Sequence, residues 1–117
     1  MEFPDLAVYL VLTDNDGWNA AVNESDAVIH TTTVGMNDGD EAIVPSSAFR
    51  EGQTAYDLIY VDQETVFMRA AGKGGARAAN GLGMLLHQGV DALRIWLNRD
   101  PPVDVMRAVL IETVYAA

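Results

Sequence analysis

Chemistry in this chain has to come from a short menu of side chains. There is no cysteine, which excludes disulfides, thiolate metal sites and cysteine nucleophiles together. His30 and His87 are the only histidines, and they fall on different elements. Neither belongs to a His-x-x-x-His or acid-rich pairing, so no metal ligand is assigned. Asp38, Asp40 and Glu41 crowd carboxylates as a cation loop does, but without the EF-hand spacing, and they read as a solvated acidic loop. Ser46-Ser47 lacks the Gly-x-Ser-x-Gly elbow of a serine hydrolase, and no His-Asp pair can be assigned to it. Gly72-Lys-Gly-Gly75 has the composition of a phosphate loop, yet glycine and not Ser/Thr follows the lysine, and the segment follows a helix. It reads as a helix-ending turn. Gly81-Leu-Gly-Met-Leu-Leu86 partly matches Gly-x-Gly-x-x-Gly, with leucine where close helix–strand packing requires a small residue. Alone it is weak evidence for a dinucleotide site.

The elements that must position these residues form one domain over residues 1–117. The chain has 117 residues, half of them hydrophobic and 21% charged, enough apolar content for a packed core. Seven Lys plus Arg against 17 Asp plus Glu give a formal charge of −10. Such a surface repels phosphate backbones, so nucleic acid is not an expected partner. No apolar run approaches membrane-spanning length and the start has no basic leader, so neither a membrane nor export is expected and the location expected is cytoplasmic. Residues 6–12 (Leu-Ala-Val-Tyr-Leu-Val-Leu), 26–33 and 54–60 read as buried strands, and 76–79 as a weak fourth. Residues 18–24 fit a short helix after an Asp or Asn cap, and 64–71 a second helix stopped by Gly72, Gly74 and Gly75. Leu82, Leu85, Leu86, Leu93, Trp96 and Leu97 recur at helical spacing. Asp100-Pro-Pro102 ends that helix, and residues 103–114 make the last one. Strand, helix, strand is the parallel pattern. The expected fold is a three-layer α/β unit with a mostly parallel, four-stranded sheet, closed by a helical pair.

Three segments matter together. Val28-Ile-His-Thr-Thr-Thr-Val-Gly-Met36, Tyr56-Asp-Leu-Ile-Tyr60 and Asn80-Gly-Leu-Gly-Met-Leu-Leu-His-Gln88 occur in order at strand ends and one helix start. They resemble the C-terminal half of shikimate dehydrogenase, an NADP-dependent family of aromatic amino-acid biosynthesis with a Rossmann-like cofactor domain. The resemblance covers roughly residues 26–110. It implies that Gln88 bonds a shikimate hydroxyl and that Tyr60 lies near the substrate carboxylate. It implies that Gly81 offers its carbonyl to the nicotinamide amide, that Leu58 and Met84 line the nicotinamide, and that Thr32 lies on the loop beside the cofactor. His30 stands where the family has Asn, Thr33 where it has Pro, and Val61-Asp62 where it has Asn-Pro.

Two further family features have no counterpart. The catalytic Lys-Asp pair belongs to an N-terminal substrate domain, so no catalytic residue is assigned here. The Gly-Ala-Gly-Gly turn after the first strand is replaced by Thr13-Asp-Asn-Asp-Gly17, which puts carboxylates where a pyrophosphate sits. The expectation is therefore a truncated Rossmann-like unit. The resemblance implies reduction of 3-dehydroshikimate to shikimate with NADP, with no turnover by the isolated chain and weak NADP binding. The alternative expectation is a stand-alone, non-enzymatic binding or oligomeric module, taking a small molecule or a second copy of itself as a homodimer.

Overall fold

A computed structural model describes residues 15–116. Helix α1 (Asn15–Glu24) leads into strand β1 (Ala27–His30), and a 3-10 turn (Ser46–Ala48) precedes β2 (Thr54–Asp57). Then come α2 (Val66–Lys73), β3 (Arg77–Ala79), α3 (Leu82–Leu97) and α4 (Val103–Tyr115). The three strands form one parallel sheet in the order β1-β2-β3, with His30 opposite Asp57 and Tyr56 opposite Ala79. The α/β class, the parallel pairing and the closing helical pair are as the sequence implies. The strand expected at residues 6–12 lies outside the described residues.

The core follows from strand alternation. Val28, His30, Ala55 and Asp57 point to one face, which α1, the 3-10 turn and α2 cover. There Phe67 and Ala71 of α2 meet Val22 of α1 and Val44, Ala48 and Phe49 of the connecting loop. On the opposite face Ile29 is 62% exposed. Buried Gln53 ties these parts together: its amide donates to the carbonyls of Val22 and Ser25, and its Oε1 accepts the Arg50 N–H.

Helix α2 begins at Val66, two residues later than the apolar spacing suggests, because Thr65 acts as its cap, its hydroxyl accepting the Met68 N–H at 3.2 Å. Strands β1 and β2 are also shorter than their β-branched runs. The Leu58 N–H still reaches His30 O at 3.1 Å, but the next amide, Ile59 N–H, donates to the Asp57 carboxylate at 3.0 Å. A side chain has taken the ladder's place, so the pairing stops and the chain ends turn out of the sheet. Helix α3 buries only Leu86 and Val90, and leaves Ile95 79% and Trp96 76% exposed. Asn98 ends it in the left-handed conformation (φ 51°). Tyr115, at the end of α4, reaches back so that Asn80 Nδ2 donates to its hydroxyl at 2.7 Å.

Candidate active site

Ligands of open parallel sheets bind at the carboxyl ends of the strands, and three loops converge there in this chain. They are residues 31–36 after β1, 58–62 after β2 and 80–82 after β3. Two of them share a cleft of about 190 Å³ lined by Thr32, Met36, Leu58, Ile59, Tyr60 and Val61. Three of the expected site residues, Thr32, Leu58 and Tyr60, are thus brought together. Tyr60 presents about a third of its surface to solvent.

Gly81 joins them through the backbone. Its N–H donates to Ile59 O at 3.1 Å, and a Cβ added there would lie 2.7 Å from the Leu58 carbonyl carbon and closer still to its oxygen. Only glycine lets the start of α3 lie this close to the end of β2. Asn80 holds the same junction from the side: its Oδ1 accepts the Leu82 N–H, and its Nδ2 donates to Asp62 O and to the Tyr115 hydroxyl. The two remaining expected residues sit on α3 and are not among those lining this cleft. Met84 is about half exposed, and exposed Gln88 donates its amide to Leu85 O of its own helix at 2.9 Å.

The loop after β1 is shaped by one carboxylate. Asp40 Oδ2 accepts the N–H groups of Gly35 (2.8 Å) and Asn37 (3.1 Å), and these bonds hold its carboxyl below the ordinary aspartate value. Gly35 has φ 106°, and a Cβ added there would lie 3.0 Å from Val66 Cγ2, so a side chain is disfavoured twice over. Asp38 and Glu41 take no part in this bonding. Among the described residues no group of three or more His, Asp and Glu side chains could hold a metal.

A buried, hydrogen-bonded polar group beneath the loops is one that no sequence motif brings together. Asp57 is fully buried. Its Oδ1 accepts from His30 Nδ1 at 2.9 Å and from Ile59 N–H, and its Oδ2 accepts the Thr65 hydroxyl at 2.6 Å. His30 is buried too, stacked on Phe67 with ring centroids 5.0 Å apart, and its Nε2 meets Thr32 Oγ1 at 2.5 Å. The one sequence signal for it is a carboxylate inside the apolar run Tyr56-Asp-Leu-Ile-Tyr60. A charge there is costly unless it is paired.

Known proteins match much of this chain in sequence and fold. Residues 81–111, which are α3 and the first two-thirds of α4, match the shikimate 5'-dehydrogenase C-terminal domain. The shikimate dehydrogenase (NADP(+)) of Methanothrix thermoacetophila is 45% identical over 89 residues, 76% of this chain and 33% of the relative. The structure of a shikimate dehydrogenase in complex with NADP+ superposes with a TM-score of 0.74 at 37% identity, covering 80% of this chain and 33% of that one. The chain resembles the C-terminal part of shikimate dehydrogenases. A shikimate 5-dehydrogenase from Listeria monocytogenes in complex with shikimate and NAD gives a TM-score of 0.77 at 30% identity over 85% of this chain and 35% of that one. The shikimate dehydrogenase-like chain therefore spans about a third of the length of the relatives it matches.

The site fits a nicotinamide cofactor at one end only. Apolar Leu58 and Met36, the Thr32 hydroxyl and the tight Leu58–Gly81 junction suit a flat ring bearing an amide. The Gly81 carbonyl already accepts Leu85 N–H at 3.0 Å, leaving one lone pair for a ligand. For a pyrophosphate the described residues offer no glycine-rich turn at a helix start, and the first turn of α1 carries Asp16.

Proposed function

We propose that this chain carries the nicotinamide- and substrate-facing strand ends of a shikimate dehydrogenase-type site, whose reaction is the NADP-dependent reduction of 3-dehydroshikimate to shikimate. The observation that carries this reading is the cleft at the carboxyl ends of the strands. There Thr32, Leu58 and Tyr60 meet, and Gly81 backs against the Leu58 carbonyl. In this reading Leu58, Met84, Thr32 and the Gly81 carbonyl face the nicotinamide, and Tyr60 and Gln88 face the substrate. The cofactor supplies a hydride, and the residues here orient the two rings.

The isolated chain does not turn over. Its single lysine, Lys73, ends α2, which runs antiparallel to the strands and so puts Lys73 at the edge of the sheet away from the cleft. Without a positioned proton donor, about 10²–10⁴-fold of rate is lost before any loss of orientation. Cofactor binding is weak as well, because a net charge of −10 and Asp16 oppose a ligand with several negative charges. Absorbance of reduced nicotinamide, with shikimate and NADP added to the purified chain, tests the first point, and calorimetry with NADP at low salt the second. NADPH formation above a protein-free control overturns the first point, and low-micromolar dissociation overturns the second.

A second reading rests on the α3–α4 pair, where Ile95, Trp96, Leu97, Val105 and Val109 are all exposed. In that reading the chain is a non-enzymatic module that covers this face with a second copy of itself. Light scattering across a dilution series decides it, a homodimer being expected and a strict monomer at high concentration refuting it.

A further inference from the structure

Asp57, His30 and Thr32 form a carboxylate–imidazole–hydroxyl chain, of which the dehydrogenase reading uses Thr32 alone. The direction of its hydrogen bonds is set by the partners. The Asp57 carboxylate is an acceptor for three donors, so His30 Nδ1 carries a proton and points it at Oδ1. His30 Nε2 is then left as an acceptor, and the one group in contact with it is the Thr32 hydroxyl. Thr65 fixes the far side of the carboxylate from the cap of α2, and Phe67 fixes the imidazole plane by stacking on it. Two members are buried and rigid while the third, Thr32, is exposed at the mouth of the site. A nucleophile, its base and the base's orienting group are recognised by this geometry and not by chain order.

Two other features suit the same chemistry. The Val34 N–H donates to Thr32 Oγ1 at 3.2 Å, so that oxygen is already an acceptor there and its own proton is directed at His30 Nε2. On the other side of Thr32 and His30 opens an apolar groove of about 430 Å³, lined by Trp18, Val28, Ile43 and Val44.

We propose that Thr32 is an activated nucleophile, with His30 as its general base and Asp57 as the positioning residue. The substrate class is esters of apolar acids, the apolar part lying in the Trp18 groove. Thr32 Oγ1 bonds to the acyl carbon as its proton passes to His30 Nε2. The bond from that carbon to the ester oxygen breaks, and the proton moves from His30 to the departing alcohol. A water molecule, deprotonated by the same nitrogen, then releases the acid and restores the hydroxyl. No oxidant or cofactor enters, and although Thr32 is shared with the dinucleotide reading, the test is run without a dinucleotide, so failure of one reading is distinguishable from failure of the other.

The test uses the whole chain and an alkyl fluorophosphonate, which bonds to an activated hydroxyl as fluoride leaves. Peptide mass spectrometry locates the phosphonyl group. One adduct at Thr32 is expected, lost in Thr32→Val and retained in Thr32→Ser. Asp57→Asn is expected to slow labelling by about 10²-fold or more. Because Asp57 is buried and its variant can lose the fold, the two exposed Thr32 variants decide the matter, each checked for native circular dichroism. Labelling at Thr32 no faster in the folded chain than in urea, or equal labelling of Ser46 or Ser47, overturns the assignment.

Discussion

Replacing Gly81 by alanine tests the closest backbone approach in the site. The new methyl carbon lies 2.7 Å from the Leu58 carbonyl carbon and 3.2 Å from its Cα, both main-chain atoms. Carbon atoms rest about 3.5–4.0 Å apart, so the junction has to open by roughly 1 Å. Neither side can yield freely. Leu58 N–H is bonded to His30 O at 3.1 Å and Gly81 N–H to Ile59 O at 3.1 Å, so movement stretches one or both. Overpacking costs about 1–3 kcal/mol and a strained hydrogen bond about 1 kcal/mol, which sums to about 2–4 kcal/mol. Alanine's helix preference returns little of this, since Gly81 is the cap residue and lies outside the helix interior. For a chain of this size such a loss lowers Tm by roughly 10 °C or more. Gly83→Ala is the internal control. It lies within α3 with nothing within 4 Å of the added carbon, and it should raise stability by up to about 1 kcal/mol. Thermal melts followed by circular dichroism compare the two. A Gly81→Ala melt within about 2 °C of the parent, or one that moves with Gly83→Ala, refutes the steric account.

Asp57→Asn should destabilise the chain by about 3 kcal/mol in urea unfolding, because one carboxylate serves three donors and the amide's NH₂ leaves one of them unanswered. A loss under about 1 kcal/mol contradicts the network as described. Asp40 should titrate below its ordinary value of 3.8 by NMR, since the Gly35 and Asn37 amides favour its charged form. A carboxyl lowered in the folded state stabilises above the unfolded value and loses that contribution as pH falls through the folded one. Residues 35–40 should therefore loosen only in acid below 3.8, and a midpoint at or above that value refutes the two amide bonds.

The parts of this fold that are legible in the sequence are those governed by neighbours along the chain. Helix α3 shows in the spacing of its leucines, and its end in Asp100-Pro-Pro102. Strand β1 shows in its β-branched and apolar content, because that composition suits a sheet covered on a face, whereas β3, Arg-Ala-Ala, reads only weakly. Where those strands stop is another matter. Asp57 captures Ile59 N–H only because His30 and Thr65, from two other elements, hold its carboxylate in place. That depends on β1 and β2 pairing with His30 opposite Asp57, a register no local window contains.

The site divides along the same line. Leu58 and Tyr60 sit two apart on a strand end, so their sharing a cleft follows from local spacing. Helical spacing places Met84 and Gln88 on α3, but it does not say where α3 points when it leaves β3. That direction is set at Gly81, where contact with the Leu58 carbonyl fixes the angle of departure. A glycine in a motif can be seen from sequence; the carbonyl that requires it is supplied by a strand more than twenty residues upstream. His30, for the same physical reason, reads from sequence as a strand end and not as the middle of a hydrogen-bonded chain. Its two partners lie 2 and 27 residues away, one on its own loop and the other across the sheet. Local composition takes Thr32 into the strand run 26–33, whereas the structure ends that strand at His30, and only the pairing of two strands puts a buried carboxylate behind the Thr32 hydroxyl.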